Sequence, residues 1–189
     1  MRKLFIYLFL LLVAGASAQE ASMREAFKQM PDTLIPYLTA NNRLDFIDFI
    51  DSKMNAEVAN TLGGKSRMLQ LTDRYAALSL NEASSIAMRL LPVAEPVDSA
   101  CQIICLVRTY GKDVQESTVS FYSMKWRPLQ ASDYLPPIDD MVVATLNDET
   151  TTMTLTPVCK LDAPANEEQK EITKPSTNLK WEGEFVFER

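Results

Sequence analysis

The chain has 189 residues, with 19 Lys and Arg against 25 Asp and Glu, and no histidine. Without histidine there is no Ser-His-Asp or Cys-His catalysis, no His-containing zinc site and no histidine pH switch. The formal net charge of −6 argues against a nucleic-acid partner, which calls for a basic face, and no Ser-x-x-Lys pair supplies a serine–lysine nucleophile.

Residues 1–18 have the form of a signal peptide. Arg2 and Lys3 give a basic start, Leu4 to Val13 an unbroken apolar run, and Ala16-Ser17-Ala18 a small-residue cleavage site. The run is about half of the ~20 residues that span a bilayer, and no cysteine follows the cleavage site to carry a lipid. The expectation is a periplasmic or secreted protein starting near Gln19, with no membrane anchor after signal removal. It would be a single domain, residues 19–189, of net charge −8 once Arg2 and Lys3 are gone (17 basic against 25 acidic residues).

The first mature segment, 22–54, is predicted to be helical. Ser22-x-x-Glu25 is a capping box for a helix to about Met30, closed by Pro31. A second helix is predicted over 42–54, with Asn42 as N-cap and Asp45 in its first turn. Its apolar face is Leu44, Phe46, Ile47, Phe49, Ile50 and Met54. Asp45, Asp48 and Asp51 stripe the other side as a solvated face, since a calcium loop needs carboxylates on an irregular turn.

"ANTLGGKS", residues 59–66, matches a permissive nucleotide-binding loop. Such a loop lies between a buried strand and a helix whose N-terminus holds the phosphates. Here the glycines follow a helix, "SRMLQLTD" after them alternates like a strand, and an exported protein meets no pool of nucleoside triphosphate. Gly63-Gly64 is therefore read as a turn, with no nucleotide and no cofactor.

From residue 66 the period becomes two. Strands are predicted in "SRMLQL", "YAALSL", "SIAMRLLPV", "QIICLVRTY" and "STVSFYSMKW", with turns at Asn81-Glu82 and Gly111-Lys112-Asp113. "MVVATL" and "TTMTLTPVC" form a later hairpin. In the last strand, Leu179, Trp181, Phe185 and Phe187 alternate with charged residues. The polar stretch 162–178 is predicted to be an exposed loop. Residues 75–93 align with 141–158 through Leu80-Asn81-Glu82 and Leu146-Asn147-Asp148, and through Met88, Leu90, Pro92, Val93 and Met153, Leu155, Pro157, Val158. A duplication and two hairpins with shared turn chemistry both account for this, and a helix over 133–140 would extend the duplication. The fold class is α+β: N-terminal helices on a mainly antiparallel meander of seven or eight strands.

Cys101, Cys105 and Cys159 are too few for a four-ligand zinc site. In one strand, Cys101 and Cys105 stand about 13 Å apart at ~3.3 Å per residue, beyond disulfide reach. Pairing of Cys159 with one of them is open, and the favoured reading is three small core hydrophobes.

With "NNRLDFIDFIDSKM", "GGKSRMLQLTDRYAALSL", "AMRLLPV" and "SFYSMKWRPL" in view, the chain resembles a family of exported Bacteroidales proteins of unknown function. The resemblance implies a bacterial envelope setting and carries no activity, ligand or site residue. From the residues alone, the first reading is a non-catalytic binding or interaction module for a protein or glycan. Its candidate residues are Tyr122 and Trp126, on one side of their strand with Trp126 partly exposed, and Tyr134 in "DYLPPIDD". One alternative is a glycan hydrolase using two carboxylates from Glu82, Asp139, Asp140 and Asp148. The other is a carrier of an apolar ligand in a cavity lined by Phe46, Phe49, Met88 and Ile103.

Overall fold

The computed structural model describes residues 22–138, 140–158 and 175–188. The segment expected to be a signal peptide, Asp139, Cys159 and most of the stretch 162–178 predicted to be a loop lie outside the described residues. Helix α1 is Met23–Lys28 and α2 is Ala40–Asp51. The strands are β1 (Glu57–Ala59), β2 (Lys65–Leu71), β3 (Tyr75–Asn81), β4 (Ser84–Val97), β5 (Ala100–Tyr110), β6 (Glu116–Ser123), β7 (Pro128–Leu129), β8 (Val142–Leu146), β9 (Thr152–Pro157), β10 (Thr177–Trp181) and β11 (Phe185–Phe187). The described chain is mostly antiparallel sheet with two short helices, which fits an α+β class. Instead of one sheet of seven or eight strands, the described residues form eleven strands in two sheets. Sheet A runs β1 to β7 in sequence order, and sheet B runs β11-β10-β9-β8.

Two-sided burial explains why the division was hidden. Facing one way, Leu78, Leu80, Ile86, Met88, Leu90, Ile104 and Leu106 share a buried cluster with Met23, Phe27, Phe46 and Ile47 of the helices. Facing the other, Leu91, Ile103, Cys105, Val107 and Phe121 share a second cluster with Val142, Ala144, Leu146, Met153, Leu155, Leu179, Trp181 and Phe185 of sheet B. Ile103 to Val107 is consequently an unbroken buried run, the pattern of a strand covered on both sides. Met88 and Ile103 fall in different clusters, so the four residues proposed to line one carrier cavity are divided by sheet A.

Helix α2 starts earlier than its predicted cap. Thr39 is the N-cap, with Asn42 at N3 returning the hydrogen bond in a capping box. Its buried apolar stripe is also narrower, because Leu44 and Met54 are 47% and 58% exposed. After β7 the chain makes a 3-10 turn, Ala131–Asp133, in place of a helix over 133–140. Thr177 and Asn178, assigned to the exposed loop, begin β10. Cys105 is buried, its thiol pushed up by burial, whereas Cys101 is exposed and is not a core residue.

The aligned hairpins differ in register. Leu78 pairs with Ile86 across β3–β4, whereas its counterpart Ala144 pairs with Leu155, the counterpart of Leu90. The four-residue offset keeps each residue on its face while lengthening the second turn.

The β4–β5 turn is tied to the segment after β6. Asp98, with φ of 52°, accepts hydrogen bonds from Arg127 Nε at 3.0 Å and Nη2 at 2.8 Å. The bond from Arg127, followed by one from Ser123, holds the Asp98 carboxyl down at about 2, below its ordinary 3.8. A depressed carboxyl contributes stability above its unfolded pKa and loses it as pH falls through the folded one. Between about pH 4 and 2, urea titrations are expected to show the native protein losing stability relative to Asp98→Asn. Parallel pH profiles would mean that the pair contributes nothing.

Candidate peptide-binding groove

The three aromatic candidates do not form one surface. Trp126 is 6% exposed and donates its indole N–H to the Ala26 carbonyl at 2.9 Å, so it is a core residue and not partly exposed. It follows the strand, at φ of 61°, because β6 ends at Ser123, where a tight turn begins with Ser123 Oγ accepting from the Lys125 and Arg127 amides. Tyr122, half-buried, packs on it with ring centroids 5.5 Å apart. Tyr134 lies on the opposite face of sheet A, its ring 5.2 Å from Phe121 and 6.0 Å from Trp181.

The carboxylates are also dispersed. Glu82 pairs with Lys112, and Asp148, in the β8–β9 turn, accepts from Gln70. A shallow hollow at the β1–β3 end is flanked by Glu57 and Glu82. Hydrogen bonds from Lys65 and Arg67 hold the Glu57 carboxyl below its usual range, the reverse of what a general acid needs. The Gly63-Gly64 segment is the β1–β2 turn, Gly63 at φ of 80°. Asn60 Oδ1 accepts from the Leu62 and Gly64 amides, and Lys65 pairs with Glu57.

What the structure does assemble is a groove between the sheets, absent from the sequence reading. Sheet B has four strands against seven, so it covers only part of the face it packs on. Strand β8, at its margin, contacts β4, β5 and β6. The turn after it reaches β4 and β2, where Arg89 donates to the carbonyls of Asn147, Asp148 and Glu149, and Gln70 donates to Asp148. β8 therefore crosses the strands of sheet A, as in orthogonal sheet packing.

One edge of β8 pairs with β9; no strand among the described residues pairs with the other. The bonds Asn147 N–H to Thr152 O and Val158 N–H to Met141 O place the odd-numbered residues in hydrogen-bonded pairs with β9. By antiparallel alternation the N–H and C=O groups of Val142, Ala144 and Leu146 point to the open edge. Natural sheets blunt such edges with charge, proline or bulges, but "MVVATL" carries none of these.

Below the open edge the groove is lined by the small side chains of Ala77, Ser85, Ala87, Val107 and Thr109, with Tyr75 beside them, and these belong to two rows of sheet A. Ala77, Ala87, Val107 and Val119 form one row across β3 to β6. Ser79, Ser85, Thr109 and Ser117 form the next, which Arg67 of β2 extends. Leu69, 59% exposed, and Gln115 stand in the walls of the 250 Å³ groove, which also includes Val143 to Leu146. From β2 to β6 the trough runs about 19 Å at ~4.8 Å per strand, close to the ~17 Å of a five-residue strand. The legible signals were the uncharged "MVVATL" and the small residues at alternate positions of "AALS" and "SSIA". Nothing in periodicity said that these belonged together.

A family model described as "Protein of unknown function (DUF3256)" matches residues 15–164. No curated protein matches the chain. Among solved structures, the fold is similar to "Structure of a domain of an uncharacterized protein from Porphyromonas gingivalis W83". The two share 20% identity at a TM-score of 0.69, over 88% of this chain and 97% of that one. No helix among the described residues is long and apolar enough to cross a membrane.

Proposed function

The chain belongs to the DUF3256 family of proteins of unknown function, and within that family we propose that it is a non-catalytic binding module that accepts an extended polypeptide strand along β8. The proposal sets it in the bacterial envelope, periplasmic or secreted, on the strength of the leader in residues 1–18. It also takes the β3–β4 and β8–β9 hairpins as copies of one unit, on their shared Leu-Asn-acidic turns. The observation that carries the function is the open edge of Val142, Ala144 and Leu146 above a trough of small side chains. An exposed strand edge supplies a row of backbone donors and acceptors, which gives affinity without requiring one sequence, while the floor selects alternate side chains.

A displayed library of random twelve-residue peptides, selected on the folded protein, tests this. Selected peptides are expected to slow hydrogen exchange at the Ala144 and Leu146 amides at least tenfold, and Ala144→Pro, which removes an edge donor, to abolish binding. Proline is tolerated at a strand edge whose N–H faces outward. Selected peptides that leave those amides unchanged, or a selection that yields none, would sink the proposal.

A further inference from the structure

We infer that the occupant of this groove is a single uncharged strand of a different polypeptide, with bulky apolar side chains at alternate positions, and not a second copy of this chain. The inference rests on the strand-addition reading and specifies its partner.

The size of the floor determines which side chains fit. A strand antiparallel to β8 sets the residues opposite Val142, Ala144 and Leu146 on the same side as these three, facing sheet A. There they meet Ala77, Ala87 and Val107. Ala77 and Ala87 are only half-buried, which leaves room for large side chains from the partner. The 250 Å³ groove is smaller than the ~300–1,000 Å³ of small-molecule pockets. The four-strand rows carry no charge, and no carboxylate among the described residues lines the groove. Arg67, at the β2 end of the second row, is already paired with Glu57, so a charged side chain placed inward would lose water without gaining a free partner.

Charge and area both disfavour a second copy. Symmetric antiparallel pairing of two β8 strands about Ala144 brings Asp140 of one copy opposite Asp148 of the other, at both ends of the pair. Like charges directly opposite each other destabilise a strand pair. A trough about 19 Å long and two rows wide buries a few hundred Å² at ~4.8 Å per strand, well under the ~1,200 Å² of a stable protein–protein interface. A linear segment needs no such area to bind transiently.

The test uses three acetylated, amidated heptapeptides: Thr-Ile-Thr-Ile-Thr-Ile-Thr, its Ile-to-Ala analogue and its Ile-to-Asp analogue. Binding is read by titration calorimetry together with hydrogen exchange at Ala144 and Leu146. The Ile peptide is expected to bind and protect both amides, the Ala analogue to bind at least tenfold more weakly, and the Asp analogue not to bind. Ala87→Leu, which fills the floor, is expected to weaken the Ile peptide at least tenfold while leaving the urea midpoint near native. Equal binding of all three peptides with both amides protected would overturn the inference and leave strand addition standing. Binding of none would overturn both. A sedimenting dimer with Ala144 and Leu146 already protected would assign the groove to a second copy.

Discussion

Replacing Arg89 with alanine is expected to destabilise the protein by about 3 kcal/mol, as hydrogen bonds from a buried charged donor are lost and a cavity opens beneath the turn. Arg89 is 4% exposed and sends three hydrogen bonds, of 2.7 to 3.0 Å, to the carbonyls of Asn147, Asp148 and Glu149. A guanidinium supplies donors in a planar fork and holds its charge when buried. Here that fork fastens the end of the β8–β9 hairpin onto sheet A. Arg89→Lys, a single flexible ammonium, is expected to recover only part of the loss. Urea denaturation gives the magnitude and hydrogen exchange gives the location. Amides of β8 and β9 are expected to exchange faster, while those of β3 and β5 hold. A change below ~0.5 kcal/mol, the level of an ordinary surface substitution, would show that the fork does not dock the hairpin.

The second large effect is expected at Trp126. Truncation to alanine removes a ring packed among Tyr122 and the α1 side chains, at a cost of about 4 kcal/mol. Trp126→Phe keeps a ring but leaves the Ala26 carbonyl without its indole donor, at about 1–2 kcal/mol. Thermal denaturation of the two variants distinguishes a core residue from a surface anchor. An anchor's removal would leave the midpoint within a degree or two of native, whereas a core role moves it by several degrees for each kcal/mol.

Much of the β-structure could be read from alternation. The turns at Asn81-Glu82 and Gly111-Lys112-Asp113, and the hairpin of "MVVATL" with "TTMTLTPV", lie where period and turn chemistry put them. Sheet partition could not be read in this way. A strand covered on both faces, such as β5, loses the alternation that would identify its neighbours. Strand β1 was missed because three residues with one buried valine show no period. The start of α2 was placed three residues late because Asn42 is itself a good cap residue, and the structure uses it as the reciprocal partner of Thr39. Trp126 was misplaced by continuing β6 past Ser123, where the chain turns. The groove escaped because it is made by an absence: small side chains, and an edge without a neighbour among the described residues.

The hydrogen bond from the Trp126 indole to the Ala26 carbonyl joins residues separated by 100 positions. Strands β1 to β7 each pair with the next in sequence, so sheet A grows by short loop closures. The helical segment is tied to the first strands, with Met23 N–H on the Asp73 carbonyl and Thr61 N–H on the Tyr37 carbonyl, and the Trp126 bond adds a distant clamp. Loop-closure entropy must be met before distant contacts can offset it. The Trp126 bond is therefore expected to form late among the contacts of α1. Until it forms, the α1 side chains Met23 and Phe27 are expected to be less well sheltered, and that interval is when a holding chaperone would matter most.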